Sequence, residues 1–474
     1  MLGRYAVLLA LIAVLWSSAP ISGAILEVTT DVDMDAADGK CSLREAILAA
    51  NLDATYQECD AGSGVDRIGF ALELPATIVL TDSLPAITGP LRIDGPGRDL
   101  LTIDGDDQFR PFELDSPTDD ALLVVRDLKL TNGRSSTSDF GGAVRIAPRE
   151  SAIFRRVDFV ANRAANGGGA VFVAATSGTT DLSTFVTFED CYFLKNLAEG
   201  PSGGGAIQAS TVSEVRLFDS TLAGNQAQAG AGGGLACQRC SAVIERSTLS
   251  SNIADQSGGG VFVLANSGIE VSLTLRHSTI FRNMAGDPIN NGGGGLSLSG
   301  SQTTHLTLEN TVVAENVDST FPEDPDVACG SAVQLVATGF SFLGANDGCS
   351  SLFPAANPNG DDNYVGTVAV PLVPLLGDLV FDSGLAVPVH LPSLGPISPL
   401  LDQGDCRGER TDQRGFGNPV TGGRIVDLIP VSNAANGDGC DIGAIERSAE
   451  PMPAEIFSDG FESADLSAWT GIES

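Results

Sequence analysis

Three histidines, His277, His305 and His390, lie in unrelated contexts, and the chain holds neither a G-x-S-x-G nor an H-E-x-x-H string. A histidine-based hydrolase or a zinc centre is therefore not expected. His277 precedes Ser278 at a position that other copies of the same local pattern fill with Asp190, Asp219, Arg246 and Asn310. Such variation is expected of a solvated side chain. The run DVDMDAADG spaces Asp31, Asp33, Asp35 and Asp38 so that alternate carboxylates could converge on a hard cation such as calcium. As an EF-hand loop it fails, because Ala36 stands where glycine is needed and Ser42 where a bidentate glutamate is needed. Calcium at this loop and a merely solvated acidic loop both remain open, and no other cofactor is expected.

Nine cysteines in a chain with an export signal lean towards disulfides. Sequence proximity pairs Cys41 with Cys59, Cys329 with Cys349, and Cys406 with Cys440. Cys237 and Cys240 form a C-x-x-C that lacks the strand–helix context of a redox motif and reads as a local staple. Cys191 is left over.

The elements that must position these residues are repeats. An apolar strand, a Ser or Thr, an aliphatic or aromatic residue, two variable residues and an asparagine recur at Asn162, Asn196, Asn225, Asn252, Asn283 and Asn316, with Asn132 as a degenerate first member. The interval averages about thirty residues, a length typical of repeat architectures. Glycine runs beginning at Gly141, Gly167, Gly203, Gly232, Gly258 and Gly292 lie between the asparagines, each followed by another apolar strand. A unit of two or three short strands is too small to bury its own inner face, so copies must stack. The expected fold is all-β, a right-handed parallel β-helix over residues 71–345. Seven coils at roughly 4.8 Å would make a rod section of about 33 Å.

Glycine suits one corner because it takes positive φ without steric cost. Asparagine suits the other, where it tolerates the left-handed conformation and its amide can form a ladder along the axis. The residue three before each asparagine should point inward. Five before it runs a column of small residues, Cys191, Ser220, Ser247, Ser278 and Thr311. Cys191 is then a buried ladder residue and not a reactive thiol. Strands near Ile78, Leu91 and Leu100 should extend the rod upstream, and its open edges call for caps.

Arg4, the apolar run Tyr5–Trp16 and the small residues ending at Ala24 read as a signal peptide over residues 1–24, because a dozen apolar residues fall short of the roughly 20 that span a bilayer. Residues 25–70 then form an N-terminal cap. Within it, Ser42 and Glu45 make a capping box before a helix whose apolar face is Leu43, Ala46, Ile47 and Ala50. Residues 346–447 are expected to add C-terminal coils, and 448–474 a flexible tail.

Three stretches also resemble known families. The string CSLREAILAAN from Cys41 is similar to the CSLREA domain of bacterial secreted proteins. Glycine runs with aromatic-x-x-Asn, from about 124 to 316, resemble the repeat of polymorphic outer-membrane proteins, a parallel β-helix family. Residues 398–446 resemble the choice-of-anchor Q domain, on Asp402, Gly404, Asp412, Gln413, Arg414, Gly415, Asp441, Gly443 and Glu446. That likeness implies a region preceding surface-sorting tails. The final IFSDGFESADLSAWT is similar to a short tail of proteobacterial secreted proteins. Because 28 residues follow Glu446, where autotransporting relatives of the repeat family carry a barrel, the chain is not expected to export itself.

Lys and Arg number 26 against 60 acidic residues, a net charge of −34, which repels nucleic acid and anionic lipid. The expectation is a secreted or cell-surface structural or adhesive protein whose polysaccharide or protein ligand is not specified by the sequence. The alternative is a polysaccharide lyase or glycoside hydrolase acting on the rod face, which rests on analogy between folds. Arg414 is expected to pair with a nearby carboxylate.

Overall fold

In the strand Val271–Arg276 the side chains alternate, with Val271, Leu273 and Leu275 buried and Ser272, Thr274 and Arg276 turned outward. Five or six residues of this kind cannot close a core, and the strand pairs in parallel with Ala242–Glu245 of the preceding coil and Thr304–Glu309 of the next. The same pairing repeats along a computed structural model that describes residues 23–118, 121–174, 184–286, 292–319, 326–381, 387–415 and 431–447. The result is a parallel β-helix. Its walls are a long sheet of 20 strands, a second sheet of eight and a narrow sheet of six two-residue strands.

One coil runs from Ile207–Ser210 in the second sheet to Ser213–Phe218 and Thr221–Ala223 in the long sheet. It then turns at Asn225 into Gln226–Ala227 of the narrow sheet. Inside, Phe154, Phe188, Leu217, Ile244, Leu275 and Leu308 form one column and Phe159, Phe193, Leu222, Leu249, Ile280 and Val313 a second. All are at most 1% exposed. The phenylalanines stack coil on coil, Phe159 on Phe193 at 4.5 Å and Phe154 on Phe188 at 5.2 Å. Each buried side chain of this size contributes about 1.5–3 kcal/mol, and each needs its neighbours above and below to do so.

The corners correct one expectation. From Asn162 onward the left-handed residue is not the asparagine but the one before it: Ala161, Lys195, Gly224, Ser251, Arg282 and Glu315 have φ between 53° and 61°. Only the degenerate Asn132 itself takes positive φ, at 49°. That turn aims the following asparagine into the rod, where its amide can be fully bonded. Asn225 Oδ1 accepts from the backbone N–H of Asn196 at 3.0 Å and from its Nδ2 at 2.8 Å. Asn225 Nδ2 donates to Asn252 Oδ1 at 2.8 Å and to the Phe193 carbonyl at 3.1 Å. Asn162, Asn196, Asn225, Asn252, Asn283 and Asn316 form one continuous buried ladder of this kind. It ends on Asp326, whose Oδ1 takes the N–H of Asn316 at 2.9 Å and its Nδ2 at 2.8 Å.

The glycine corner behaves as expected. Gly232 has φ of 72°, and a Cβ on Gly205 would lie 2.2 Å from the Gly233 carbonyl oxygen of the next coil. Only glycine fits where coils approach this closely.

The N-terminal helix spans Leu43–Leu52 and carries the full capping box: Ser42 Oγ accepts from the Glu45 N–H at 3.2 Å, and Glu45 accepts from the Ser42 N–H at 2.9 Å. It covers the first strands. The rod starts before residue 71, however, since Ile25–Val28 and Asp66–Phe70 already pair in parallel within the long sheet. Their strand signals are four and five residues long and separated by the helix, which hid them from the repeat pattern. Past the rod, Tyr364–Val365 is the last strand of the long sheet. Leu376–Val380 and Val389–Pro392 then form an antiparallel pair of their own.

Candidate functional site

The sequence-selected residues separate into three groups. Four disulfides form at Cα–Cα distances of 4.9 Å for Cys41–Cys59, 5.3 Å for Cys237–Cys240, 5.1 Å for Cys329–Cys349 and 5.5 Å for Cys406–Cys440. Cys191 is free and buried, its N–H donating to Ser220 Oγ in the small-residue column. Burial pushes its thiol up to about 12.

The four aspartates of the N-terminal loop are not gathered into one cluster of ligand atoms among the described residues. Asp33 is buried and engaged, taking Arg44 at 2.7 Å and the Thr81 N–H at 2.7 Å. Asp35 accepts from the Tyr56 hydroxyl at 3.0 Å, Asp38 accepts from the Lys40 N–H, and Asp31 is exposed. Arg44 needs a carboxylate because it also bonds the carbonyls of Asp82 and Ser83, and Asp33 supplies it. The loop thereby ties the helix to the coil beneath.

The outward row of the long sheet is where chemistry would have to sit, and much of it is covered by the chain itself. Residues of the described stretches 387–415 and 431–447 bond to the side of the coils. Gln413 is buried, with Oε1 accepting from Thr248 Oγ1 at 2.6 Å and Nε2 donating to the Ser220 carbonyl at 3.0 Å and to Thr221 Oγ1 at 2.8 Å. The Ala444 N–H donates to Thr279 Oγ1, the Gly443 N–H to the Asn310 carbonyl, and Thr221 Oγ1 to the Pro388 carbonyl. Gly443 has φ of 112°, and a Cβ there would meet Thr279 Oγ1 at 3.0 Å.

The residues behind this clasp are those that carried the choice-of-anchor resemblance. The Asp402 N–H donates to Asp441, the Asp441 N–H to Glu446, and the Glu446 N–H to Asp412. Arg414 pairs with Asp412 at 2.8 Å, as expected. Burial and the adjacent Glu446 push Asp441 well above the ordinary carboxylate range. His277 is corrected here: it is 4% exposed and lies against Asn310, whose amide donates to the Asp405 carbonyl and accepts from the Asp405 N–H in the clasp. Its variability reflects what each coil presents to the clasp and not solvent. Asp219 and Arg246 at the same position pair bidentately at 2.7 and 3.0 Å, and Arg246 also reaches Glu409.

Nearer the N-terminus the row holds Asp158, which burial pushes up to about 6 although Arg98 bonds it at 2.8 Å. Asp219 is likewise at about 6 through burial, partly offset by Arg246. Tyr192 stands beside Asp158 on the next coil. Raised carboxylates of this kind are what a general acid requires, but an arginine holds each of them. Of the other histidines, His390 is buried between Ser250 and the Gly377 carbonyl, and His305 is half-buried, 3.5 Å from Glu270. No helix among the described residues is long and apolar enough to cross a membrane. Residues 1–22 of the expected signal peptide and the expected tail, 448–474, lie outside the described residues. The chain matches no protein-family model, no curated protein and no solved structure.

Proposed function

We propose that this chain is a secreted or cell-surface β-helix that serves as a structural or adhesive rod without catalytic activity. The observation that carries this reading is the clasp. The row of the long sheet from Thr221 to Asn310, where outward side chains of successive coils could assemble a reacting centre, is met by Pro388, Gln413, Gly443 and Ala444 of the chain itself. Catalysis requires positioned groups left free to exchange protons with a substrate. Here Asp219 is committed to Arg246, and Asp158 to Arg98. Four disulfides suit an oxidising compartment and a rod that must persist outside the cell.

The glycan-cleaving alternative draws on one feature, the two aspartates held near 6 on the rod face. Purified protein incubated with acidic and neutral polysaccharides, with and without calcium, separates the two readings. The rod reading expects neither ultraviolet-absorbing unsaturated products nor new reducing ends. Product formation lost in Asp158→Asn or Asp219→Asn would establish the enzyme instead. Fractionation of cells with an antibody to the described region should find the protein outside or on the outer surface, and a cytoplasmic pool would overturn the localisation.

A further inference from the structure

Arg246, Arg276 and Arg282 on the clasped coils each hold a carboxylate, yet three coils closer to the N-terminus one arginine does not. Arg126 makes no ion pair among the described residues, and its Nε is buried without a hydrogen-bond partner. The register sets it directly beside Arg155 of the next coil. On the preceding strand its partner is Asp94, and Arg92 stands two residues before Asp94. Asp94 is already shared by Arg67 at 2.6 Å and Arg92 at 2.7 Å, while Arg155 holds Glu189 at 2.7 Å. Asp127, the remaining acid beside it, is taken bidentately by Arg156.

A guanidinium left between two others is unfavourable for the fold. Burial, Arg92 and Arg155 all push Arg126 below its ordinary range. On a chain carrying 60 acidic residues, a carboxylate to neutralise it would have been easy to place. A half-buried arginine without an ion pair, set beside two arginines whose own carboxylates are already taken, indicates a ligand that brings the opposite charge.

We propose that Arg92, Arg126 and Arg155 form a site for the carboxylates of an acidic polysaccharide laid along the rod axis. The planar fork of arginine matches a carboxylate with two parallel N–H···O bonds. Arg126 and Arg155 are register partners on adjacent coils, at the strand spacing of roughly 4.8 Å, and Arg92 lies two residues off their row on the preceding strand, so the forks offer successive uronate groups a short oblique track. Among the described residues no bond of the C-terminal clasp reaches these coils, its bonds with the long sheet beginning at Ser220. The net charge of −34 repels such a polymer at a distance. At 0.1 M salt the screening length of about 10 Å suppresses that repulsion while direct contacts persist.

This inference gives the adhesive reading its ligand class and rests on that reading. The test titrates full-length protein at about 0.1 M salt with hexagalacturonate, with monomeric galacturonate and with neutral cellohexaose. Hexagalacturonate should bind saturably, the monomer far more weakly and cellohexaose not at all. Arg126→Gln should weaken hexagalacturonate by roughly tenfold or more, as loss of a charge-assisted bidentate contact implies. It should leave the melting temperature unchanged or higher, because it removes repulsion rather than a structural bond. Arg282→Gln, on a distant coil, should bind as the unaltered chain does.

Absence of saturable binding, equal affinity for monomer and hexamer, or an unaffected Arg126→Gln would each overturn the site. A surface-located protein that binds no uronate loses the site and keeps the adhesive role. A protein that binds hexagalacturonate but fractionates with the cytoplasm keeps the site and loses the role.

Discussion

Acidification should release the clasp through His390. Its Nδ1 donates to the Gly377 carbonyl at 2.8 Å, which leaves Nε2 to accept from Ser250 Oγ at 2.8 Å on the rod. The Phe281 ring packs edge-on at 4.8 Å with Arg282 above it, and Asp378 is the facing carboxylate. Burial, the largest influence, holds the imidazole down to about 4, against 6.5 when free. The folded clasp thus binds fewer protons than the opened one between these values, so its stability is complete above about pH 6.5 and falls as pH drops towards 4. Between about pH 7.5 and about pH 5 the ratio of opened to closed clasp should rise about thirtyfold, or about 2 kcal/mol.

Asp441 in the same clasp has its carboxyl raised and acts in the opposite sense. A bulk melting curve would therefore mix the two, and the measurement must be local. Hydrogen exchange of residues 387–392, corrected for intrinsic rate, should show the loss of protection. His390→Gln, which can keep both hydrogen bonds without titrating, should remove the pH dependence. Exchange at 387–392 that ignores pH in the unaltered chain, or follows pH equally in the glutamine variant, would refute the reasoning.

Asn252→Ala strands the N–H and amide donors of Asn225 and should cost about 1–3 kcal/mol in chemical denaturation. Cys191→Ser should change stability by less than about 1 kcal/mol, since serine occupies the same column on the next coils. Iodoacetamide should label Cys191 only after denaturation, because its thiol is buried and held at about 12. Asp326→Asn should cost about 1–3 kcal/mol, because both oxygens of Asp326 accept N–H bonds and an amide NH2 would oppose either Asn316 or Ala345. Burial raises Asp326 to about 7 against donors that pull it down, so its contribution falls as pH rises from about 4 to about 7. The asparagine variant should show a flatter pH profile in urea titrations.

The rod was legible because each coil repeats the same local instructions. The inward columns at Phe193 and Leu222, the small column through Cys191 and Ser220, and the asparagine ladder all fall where the spacing puts them. The left-handed residue was misplaced by one. Sequence shows an asparagine at the corner, but side-chain bonding, not backbone tolerance, fixes it there, and the turn falls on the variable residue before it. Asp326 was invisible as the ladder's end because it follows Asn316 by only ten residues and breaks the interval.

The clasp was illegible for a different reason, and that reason bears on function. Gln413 and Thr221 are 192 residues apart, and nothing periodic links them. A stacked coil advertises its partners through repetition, whereas a segment docked across several coils shows only single polar residues whose bonds lie elsewhere. His277 looked solvated on that account, and Arg126 carried no sequence signal of its own. Once the clasp is in place the two differ. Arg246 and Asn310 under it are bonded to the chain's own C-terminal segment, whereas Arg126, outside it, stands between arginines with no ion pair among the described residues. With Arg246 held by the clasp and Arg126 open on coils that no described bond of the clasp reaches, the proposed uronate site would stand apart from the surface that maintains the fold.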